Sequence, residues 1–527
     1  MNTKHKRLFE RRDLLIALYL FVFVCSVYLP TMRGFVRSDG YYYYTAAVQL
    51  LSGRRPTIED YNLFDVRAPT GTEGERTIQY GIGWSAALMP VILLCNIVRG
   101  RLYTPPESRL LQMAVASTTS IISAATASLL YLLLRRLGYR RRTCVITAFL
   151  LAFSTSLWTN SVSELFTEPI SALAITAALF AAVQHKRSRT TISAAAAGVF
   201  CAYLLTIKIY WIFLILPFLI FLSGDNYREN WKGLCAFLFP FLPGLAGICL
   251  YNMLRFGTFI AEGYLGGALT HEAVVGAVKG QPILIGLYGL LFSSGKSAFL
   301  FNPALIMGLF GAKRFWRESR QLARFCLVLC GGYLLFFASR PNWGAGDFWG
   351  PRHLTPLLPV MLLPVASLID GFEIWSVRQR VWVRVTMVAG VLVQLPNLFI
   401  FPRAYVGLML STGRLRWEDL FFTPNLSPII GNWMLFKEYL VKLVTGEPTF
   451  FYPVKTMRGA TDMLQPVYCL DFADAWDSWI NVIRRAGYMD VLAVKIAVFT
   501  IVAVLVCAAI FSARGIRKQL RETDKQE

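Results

Sequence analysis

Long apolar runs recur along almost the whole of this chain, separated by short clusters of basic residues. Many of the runs approach the roughly 20 residues that an α-helix needs to cross about 30 Å of hydrocarbon. Only 16% of the 527 residues are charged, whereas a soluble chain carries about a quarter. In lipid the backbone polar groups must be satisfied within each segment, which uninterrupted apolar runs achieve as helices. The sequence therefore predicts an all-α polytopic membrane protein.

The basic clusters predict a topology, because cytoplasmic loops of membrane proteins carry an excess of Lys and Arg. Just over half of the 53 Lys and Arg lie in seven clusters that can share one face: 1–13, 135–142, 186–189, 228–232, 313–324, 378–384 and 514–525. With these in the cytoplasm, both termini are cytoplasmic and about twelve transmembrane helices connect the clusters. The predicted spans are 14–30, 110–134, 143–162, 168–184, 192–207, 210–222, 233–252, 298–312, 322–340, 355–370, 385–402 and 490–512. The net charge of +22 then reflects topology, and no nucleic-acid partner is indicated.

Two apolar runs are left out of this count. Residues 81–98 are long enough to span, but a span there would move the cluster 135–142 to the outside. We therefore expect a re-entrant or interfacial segment, with Pro90 as its break. A shorter run at 283–292 is similar.

The predicted organisation has three parts. Residues 1–402 form the transmembrane core, which includes a large first external loop at 31–109. Residues 403–489 form an extracytoplasmic segment of unassigned role, whose aromatics, turns and charges suggest a small domain. Residues 490–527 supply the last transmembrane helix and a cytoplasmic tail. The cytoplasmic loops are short and contain no P-loop or GxGxxG pattern, so no nucleotide site is expected there.

The first candidate for chemistry is Asp39, in the stretch R-S-D-G-Y-Y-Y-Y just past the first span. An ionisable group held at the membrane surface is a functional candidate. The same residue could instead cap the helix that follows. The tyrosines suit packing at the headgroup level, and Tyr42 and Tyr43 are also candidate substrate contacts.

A second pair of acids, Glu164 and Glu168, occurs in S-E-L-F-T-E-P at the external end of a span. Glu168 precedes Pro169, which is typical of a helix start, where an acid is favoured by the helix dipole. Glu168 could also face Asp39 across a cleft. Two such carboxylates could hold a divalent metal ion through their oxygens.

Cationic side chains form the third group of candidates. They are Lys208, Lys296, Arg340, Arg352 and His353. Each alone could extend its charged end to lipid headgroups. Together they could bind a lipid-borne phosphate and stabilise it as a leaving group. His353 could act as a base, but it follows an arginine that would lower its basicity, so a supporting role is favoured.

Four stretches of the chain resemble the GT-C glycosyltransferases, multi-span enzymes that use sugars linked to polyprenyl phosphate. They are S-D-G-Y-Y-Y-Y, Q-Y-G-I-G-W-S-A-A-L-M-P, Y-N-M-L-R-F-G-T-F and W-G-A-G-D-F-W-G-P-R-H-L-T-P. They are similar to stretches in bacterial membrane enzymes related to protein O-mannosyltransferases and aminoarabinose transferases. The resemblance covers about 14–402.

The resemblance implies that an acid in the first external loop is catalytic, and Asp39 is the matching position. It also implies a second acid in the next external loop, at Glu168 or less favourably Glu164. Better-known members often have two adjacent acids in the first loop, whereas Gly40 follows Asp39 here. Dependence on a divalent metal, with Asp39 and Glu168 as ligands, is therefore left open.

The expected function is transfer of a sugar from a polyprenyl-phosphate donor to a hydroxyl of a glycan, lipid or protein acceptor. Asp39 would take the proton of that hydroxyl, and a single displacement would invert the anomeric carbon. Lys208, Lys296 and Arg352 would stabilise the departing phosphate. The resemblance places the protein in a bacterial inner membrane with its active site on the extracytoplasmic face.

Two other functions stay open. A twelve-span secondary transporter would have a similar topology, but transporters tend to bury charge at mid-membrane, and the spans here are nearly uncharged internally. A lipid-linked glycan ligase or polymerase would share the fold and differ only in its acceptor.

Overall fold

The structure is a computed structural model and describes residues 10–34, 38–57, 72, 74–75, 77–78, 80–100, 108–224, 227–259, 282–346, 348–372, 376–401, 403–411, 415–445, 451–453, 466–469, 478–485 and 487–524. Outside them lie Arg37, most of the predicted first external loop between 52 and 82, and much of the late segment after 445.

The described chain is almost entirely helical. Ten helices, named α1 to α10 in chain order, form its first half: Arg11–Thr31, Ser38–Leu51, Gly83–Val98, Arg109–Leu137, Arg141–Phe153, Ser156–Ser163, Thr167–Ser188, Thr191–Ile207, Ile215–Ser223 and Tyr227–Phe256. The later α-helices are Ile283–Phe292, Ala298–Phe301, Ala304–Glu318, Arg320–Ala338, Leu358–Met361, Leu363–Asp370, Val377–Gln394, Pro396–Phe399, Ala404–Ser411, Trp417–Phe422, Pro428–Thr445, Trp479–Arg485 and Leu492–Asp524. Two short antiparallel strands, Phe451–Pro453 and Pro466–Cys469, pair with each other.

The predicted all-α polytopic membrane fold is confirmed. Eight helical segments of the described chain are long and apolar enough to cross a membrane, and the bent pair α5 and α6 makes a ninth. Each of the twelve predicted spans coincides with one helix or with two or three consecutive helical segments. Nine of the twelve are the spans just described, and the remaining three are shorter or interrupted. They are α8, the pair of a 3₁₀ turn Ile209–Leu214 and α9, and the pair Ala298–Phe301 and Ala304–Glu318.

The two apolar runs excluded from the count are short helices. α3 has 16 residues and the helix Ile283–Phe292 has 10. The prediction that Pro90 breaks the first of them is wrong, because α3 continues through it. A proline inside a helix removes one backbone hydrogen bond, and the turns on either side of Pro90 stay helical.

Alternating helix directions give the bundle two distinct ends. At the end where α1 stops and α7 starts, the backbone N–H of Arg33 donates to the carbonyl of Val162 at 2.8 Å. We call this the site end. The guanidinium of Arg33 is buried there and donates to the carbonyls of Asn397 and Ile400 at 3.2 and 2.9 Å. Three separate segments are thereby joined at the site end.

The basic loop at residues 135–142 lies at the opposite end and is neutralised by acids. Asp13 is buried at the start of α1 and accepts from Arg135 at 2.9 Å and from Arg141 at 2.8 Å. Arg140 pairs with Asp370 at 3.4 Å. Truncating one partner of such a pair leaves an uncompensated charge. The loop therefore contributes to stability and also indicates the topology.

The late segment packs on the core where the structure describes it. The Nδ2 of Asn432 donates to Oδ1 of Asn397 at 2.6 Å, and Ser427 donates to the carbonyl of Ser294 at 2.6 Å. The helix Pro428–Thr445 is therefore part of the same helical assembly.

Candidate functional site

Asp39 lies in the first turn of α2, which begins at Ser38. The residue is therefore inside the helix and does not occupy the cap position before it. An acid in a first turn is favoured by the helix dipole. Its side chain is 27% exposed, so a carboxylate oxygen can face a cleft.

Gly40 explains why a second acid does not follow Asp39. A Cβ added at Gly40 would lie 2.7 Å from the Cβ of Leu165 and 3.2 Å from its carbonyl oxygen. The start of α2 therefore packs directly against the segment between Glu164 and Glu168. Any side chain at position 40 would push the acids apart.

Replacing Gly40 with Ala is expected to destabilise the protein by about 1–3 kcal/mol, the cost of overpacking a filled contact. The position of Asp39 should change as well, because Asp39 moves with the backbone of α2. Gly247→Ala is the matched control, since a Cβ there meets nothing within 4 Å. Thermal unfolding in detergent checks this. Equal stability of the two variants would contradict the close approach.

Arg352 joins the two predicted catalytic acids. Its Nη2 lies 3.7 Å from Oδ2 of Asp39, and its Nε lies 3.5 Å from Oε1 of Glu168. The arginine side chain is only 5% exposed. The planar guanidinium can present separate N–H groups to two acceptors at once, so one cation holds both carboxylates.

Glu168 has a second cationic partner. Lys208, at the end of α8, places its Nζ 3.7 Å from the same Oε1. Both side chains are nearly buried, at 6% and 4% exposure. A buried carboxylate needs such compensation. Glu168 is therefore the anchor of this group, while Asp39 is its solvent-facing member.

Two aromatic rings hold the guanidinium of Arg352 in place. Its Cζ lies 4.6 Å from the ring centroid of Phe166 and 4.1 Å from that of Phe348. Arg403 packs on the same ring of Phe348 at 4.3 Å. Cation–π contacts of this kind orient an arginine without using its hydrogen-bond donors.

Glu164 is buried beside this group and pairs with Arg403, whose Nη1 lies 3.9 Å from Oε1. The pKa of Glu164 is raised to about 7, because burial raises it by more than the nearby positive charges of Arg403 and Arg352 lower it, and the negative charge of Asp39 also raises it. Glu164 therefore gains or loses a proton close to neutral pH, unlike an ordinary glutamate.

Glu164 should make stability fall as pH rises from about 4.5 to 7. In that window the folded protein retains a proton that the unfolded chain has released, so raising the pH favours unfolding. We expect wild type to lose unfolding temperature relative to Glu164→Gln between pH 5 and pH 7.5. A difference that is the same at both pH values would contradict the buried, raised carboxyl.

The Q-Y-G-I-G-W motif packs against two segments of the site, the one around Leu165 and the end of α8. The indole Nε1 of Trp84 donates to the carbonyl of Leu165 at 3.3 Å. A Cβ at Gly81 or at Gly83 would come within 2.2 Å of atoms of Thr206. These glycines therefore let the motif lie against the end of α8 just before Lys208. The motif supports the site and does not itself present a reactive group.

The Y-N-M-L-R-F motif supports that motif in turn. Arg255 is buried at the end of α10 and donates from Nη1 to the carbonyls of Ile78 and Tyr80 at 2.7 and 3.0 Å. Its guanidinium also stacks on Tyr251 at 4.0 Å. Tyr80 stacks on Tyr43 at 4.8 Å. Tyr43, a predicted substrate contact, therefore packs against the Q-Y-G-I-G-W motif.

The other predicted binding residues lie around the group. Lys296 is buried and its Nζ donates to the carbonyl of Phe348 at 2.5 Å, which supports the ring under Arg352. His353 stacks on Phe337 at 4.2 Å. Tyr42 is partly buried. Arg340 lies over Phe336 at 5.0 Å, outside the group. The sequence did not single out Arg403, Phe166 or Phe348.

The two carboxylates do not fit a divalent metal site. Arg352 lies within 4 Å of both Asp39 and Glu168, so a metal ion would face a guanidinium. Ca²⁺ and Mg²⁺ sites need several oxygen ligands. Among the described residues, no group of three or more His, Cys, Asp or Glu could hold an ion.

Comparison with known proteins gives one family match. Residues 107–235 match the family model described as dolichyl-phosphate-mannose-protein mannosyltransferase. The matched part is less than half of the chain and includes Glu164, Glu168 and Lys208. The match supports the resemblance to the GT-C glycosyltransferases in a segment that lies between the four quoted stretches. No curated protein matches the chain by sequence.

Two solved structures are similar to the chain. One is ArnT from Cupriavidus metallidurans bound to undecaprenyl phosphate, at 13% identity, covering 96% of this chain and 75% of that one, with a TM-score of 0.44. The other is the archaeal oligosaccharyltransferase AglB from Archaeoglobus fulgidus, in complex with an inhibitory peptide and a dolichol-phosphate. Its identity is 11%, its TM-score 0.45, and the match covers 87% of this chain and 61% of that one.

Proposed function

We propose that this protein is a membrane glycosyltransferase that moves a sugar from a polyprenyl-phosphate donor to a hydroxyl acceptor. The observation that carries the proposal is the placement of Arg352 between Asp39 and Glu168, with Lys208 adjacent. A phosphate leaving group needs preorganised cations, and a hydroxyl nucleophile needs a base. Both are within one cluster at the site end, and the mannosyltransferase family match supports the same chemistry.

The proposed reaction is a single displacement at the anomeric carbon. The acceptor oxygen forms a bond to that carbon, and its proton passes to the carboxylate of Asp39. The bond from the anomeric carbon to the phosphate oxygen breaks, and its electron pair stays on the phosphate. Arg352 and Lys208 stabilise the charge that develops there. Attack opposite the leaving group inverts the configuration.

We propose the extracytoplasmic face of a bacterial inner membrane as the location of the reaction. The basic loop 135–142 lies at the end of the bundle opposite Asp39, where Arg135 and Arg141 meet Asp13. Since basic loops favour the cytoplasm, the site end would face outward. A glycan, lipid or protein could then supply the acceptor hydroxyl.

The buried charges argue against the secondary transporter. In the described spans, buried charged side chains such as Asp13, Arg141, Glu168, Lys208 and Arg352 lie at helix ends. Transporters place their ionisable groups near the bilayer midplane, often at broken helices. A lipid-linked glycan ligase or polymerase remains compatible, because it would differ in its acceptor.

The proposal is tested by incubating the purified protein with polyprenyl-phosphate sugars and an acceptor-containing membrane extract. We expect release of free polyprenyl phosphate, detected by mass spectrometry, from wild type and not from Asp39→Asn. Uptake of a solute into sealed vesicles without lipid turnover would instead favour the transporter and overturn the proposal.

We further propose that transfer needs no divalent metal, because Arg352 lies where a metal would bridge the two acids. Turnover should therefore be unchanged, within about twofold, after EDTA treatment and desalting, since phosphate charge is met by guanidinium and ammonium groups. Loss of activity on chelation, restored by Mn²⁺ or Mg²⁺, would contradict this. Catalytic turnover is followed through released polyprenyl phosphate.

A further inference from the structure

We infer that the donor phosphate displaces Asp39 from Arg352, so that Asp39 becomes available as a base only when the donor is bound. The inference rests on the proposed function. Donor binding would come before proton transfer at that site, because Arg352 contacts its two acids, Asp39 and Glu168, unequally.

The contact of Arg352 with Asp39 is the weaker of the two. The N···O distances are 3.7 Å to Asp39 and 3.5 Å to Glu168, both beyond ordinary hydrogen-bond length. The two contacts differ in burial, because Asp39 is 27% exposed and Glu168 is 4% exposed. Partly exposed ion pairs contribute little because water competes for both charges. This contact can be exchanged at low cost.

The contact of Arg352 with Glu168 should stay in place when the donor phosphate binds. Glu168 is 4% exposed, and breaking a buried ion pair leaves a charge without compensation. Arg352 uses Nε for Glu168 and Nη2 for Asp39. Nη2 can therefore change its partner while Nε stays at Glu168 and the guanidinium stays packed against the rings of Phe166 and Phe348.

A phosphate is the partner that would complete this exchange. It carries more charge than a carboxylate and accepts bidentate contacts from a guanidinium. Once Nη2 turns to the phosphate, Asp39 loses its contact with the cation, and its carboxylate oxygens can accept from the acceptor hydroxyl instead. The base is thereby activated beside the bond that is to be broken. Without donor, Asp39 stays paired with Arg352.

This exchange predicts that Asp39→Asn binds undecaprenyl phosphate more tightly than wild type. We expect the dissociation constant in detergent micelles to fall about two- to fivefold, the range for removing a partly exposed competing ion pair. Glu418→Gln is the control, because it removes an exposed carboxylate on the helix Trp417–Phe422 and should leave the constant unchanged.

Removing Asp39 also removes a negative charge that repels phosphate directly, and a double-mutant cycle separates the two effects. In an Arg352→Gln background, the gain from Asp39→Asn should shrink to less than half of its value in the wild-type background. An equal gain in both backgrounds would mean plain repulsion and would overturn the exchange. Unchanged or weaker binding by Asp39→Asn would overturn it as well.

The two proposals fail in distinguishable ways. If wild type binds undecaprenyl phosphate but the cycle shows no coupling between Asp39 and Arg352, the exchange is wrong and the transferase proposal stands. If wild type does not bind undecaprenyl phosphate at all, both are wrong. Circular dichroism and size-exclusion profiles of each variant confirm that folded protein is being compared.

Discussion

Replacing Asp39 with Asn is expected to lower the rate of sugar transfer by about 10²- to 10⁴-fold, the usual contribution of a general base. Asn has nearly the same shape as Asp but cannot accept the proton of the acceptor hydroxyl. Because Asp39 is partly exposed and its ion pair with Arg352 is long, the variant should fold normally. Turnover is measured through released polyprenyl phosphate.

Glu418→Gln serves again as the matched control, since it removes an exposed carboxylate at a residue that we place outside the reaction. The control should turn over as fast as wild type. If Asp39→Asn retains a tenth or more of the wild-type rate while folded, Asp39 is not the base, and Glu164 would be the next acid to examine.

Replacing Arg352 with Gln should abolish transfer and also destabilise the fold. Asp39 would lose its ion pair, and Glu168, which is almost fully buried, would lose one of its two cationic partners. Removing one partner of a buried ion pair costs about 3–5 kcal/mol. Because Lys208 is retained, we expect the free energy of unfolding to fall by about 3 kcal/mol. The free energy of unfolding, measured by titration with SDS, checks this.

Two further variants separate charge from geometry. Arg340→Gln removes a cation that stacks on Phe336 outside the group and should cost less than about 1 kcal/mol. Arg352→Lys retains the charge but not the planar group that serves two acids and two rings. It should regain stability without regaining transfer. Full activity in Arg352→Lys would contradict the dual role of the guanidinium.

Much of the fold follows from hydropathy and charge. The apolar runs and basic clusters predicted every span as a helix, because a membrane allows few other structures for such segments. The internal breaks were less predictable. Pro90 lies within a helix that continues, and the bend between α5 and α6 is set by tertiary contacts. One is the Oδ1 of Asn302, which accepts from the backbone N–H of Ser156 at 2.7 Å.

The candidate site was predictable where residue type and topology sufficed. Asp39, Glu168, Lys208 and Arg352 were singled out as charges at one face, and the structure brings them together; their catalytic roles stay predictions. Lys296 was expected to bind substrate; the structure shows it donating to the carbonyl of Phe348, and its role toward substrate stays a prediction. No sequence pattern reveals which backbone carbonyl a distant lysine will reach.

The residues that were missed depend on long-range contacts. Arg403 follows the predicted core, so its pairing with Glu164 across 239 positions gave no local signal. Phe166 lies between the two acids, where an apolar residue type gives no functional signal of its own. Its role appears only once Arg352 packs on its ring. The glycine at position 40 was noted as a departure, and its reason, contact with Leu165, needed the fold.

The most direct test of the central claim is the lipid balance in membranes that contain the protein. Membranes with wild type, Asp39→Asn or Glu418→Gln are supplied with a polyprenyl-phosphate sugar, and free polyprenyl phosphate is measured over time by mass spectrometry. We expect release of free polyprenyl phosphate with wild type and Glu418→Gln, and release at least about a hundredfold slower with Asp39→Asn. Equal release from all three membranes would contradict it.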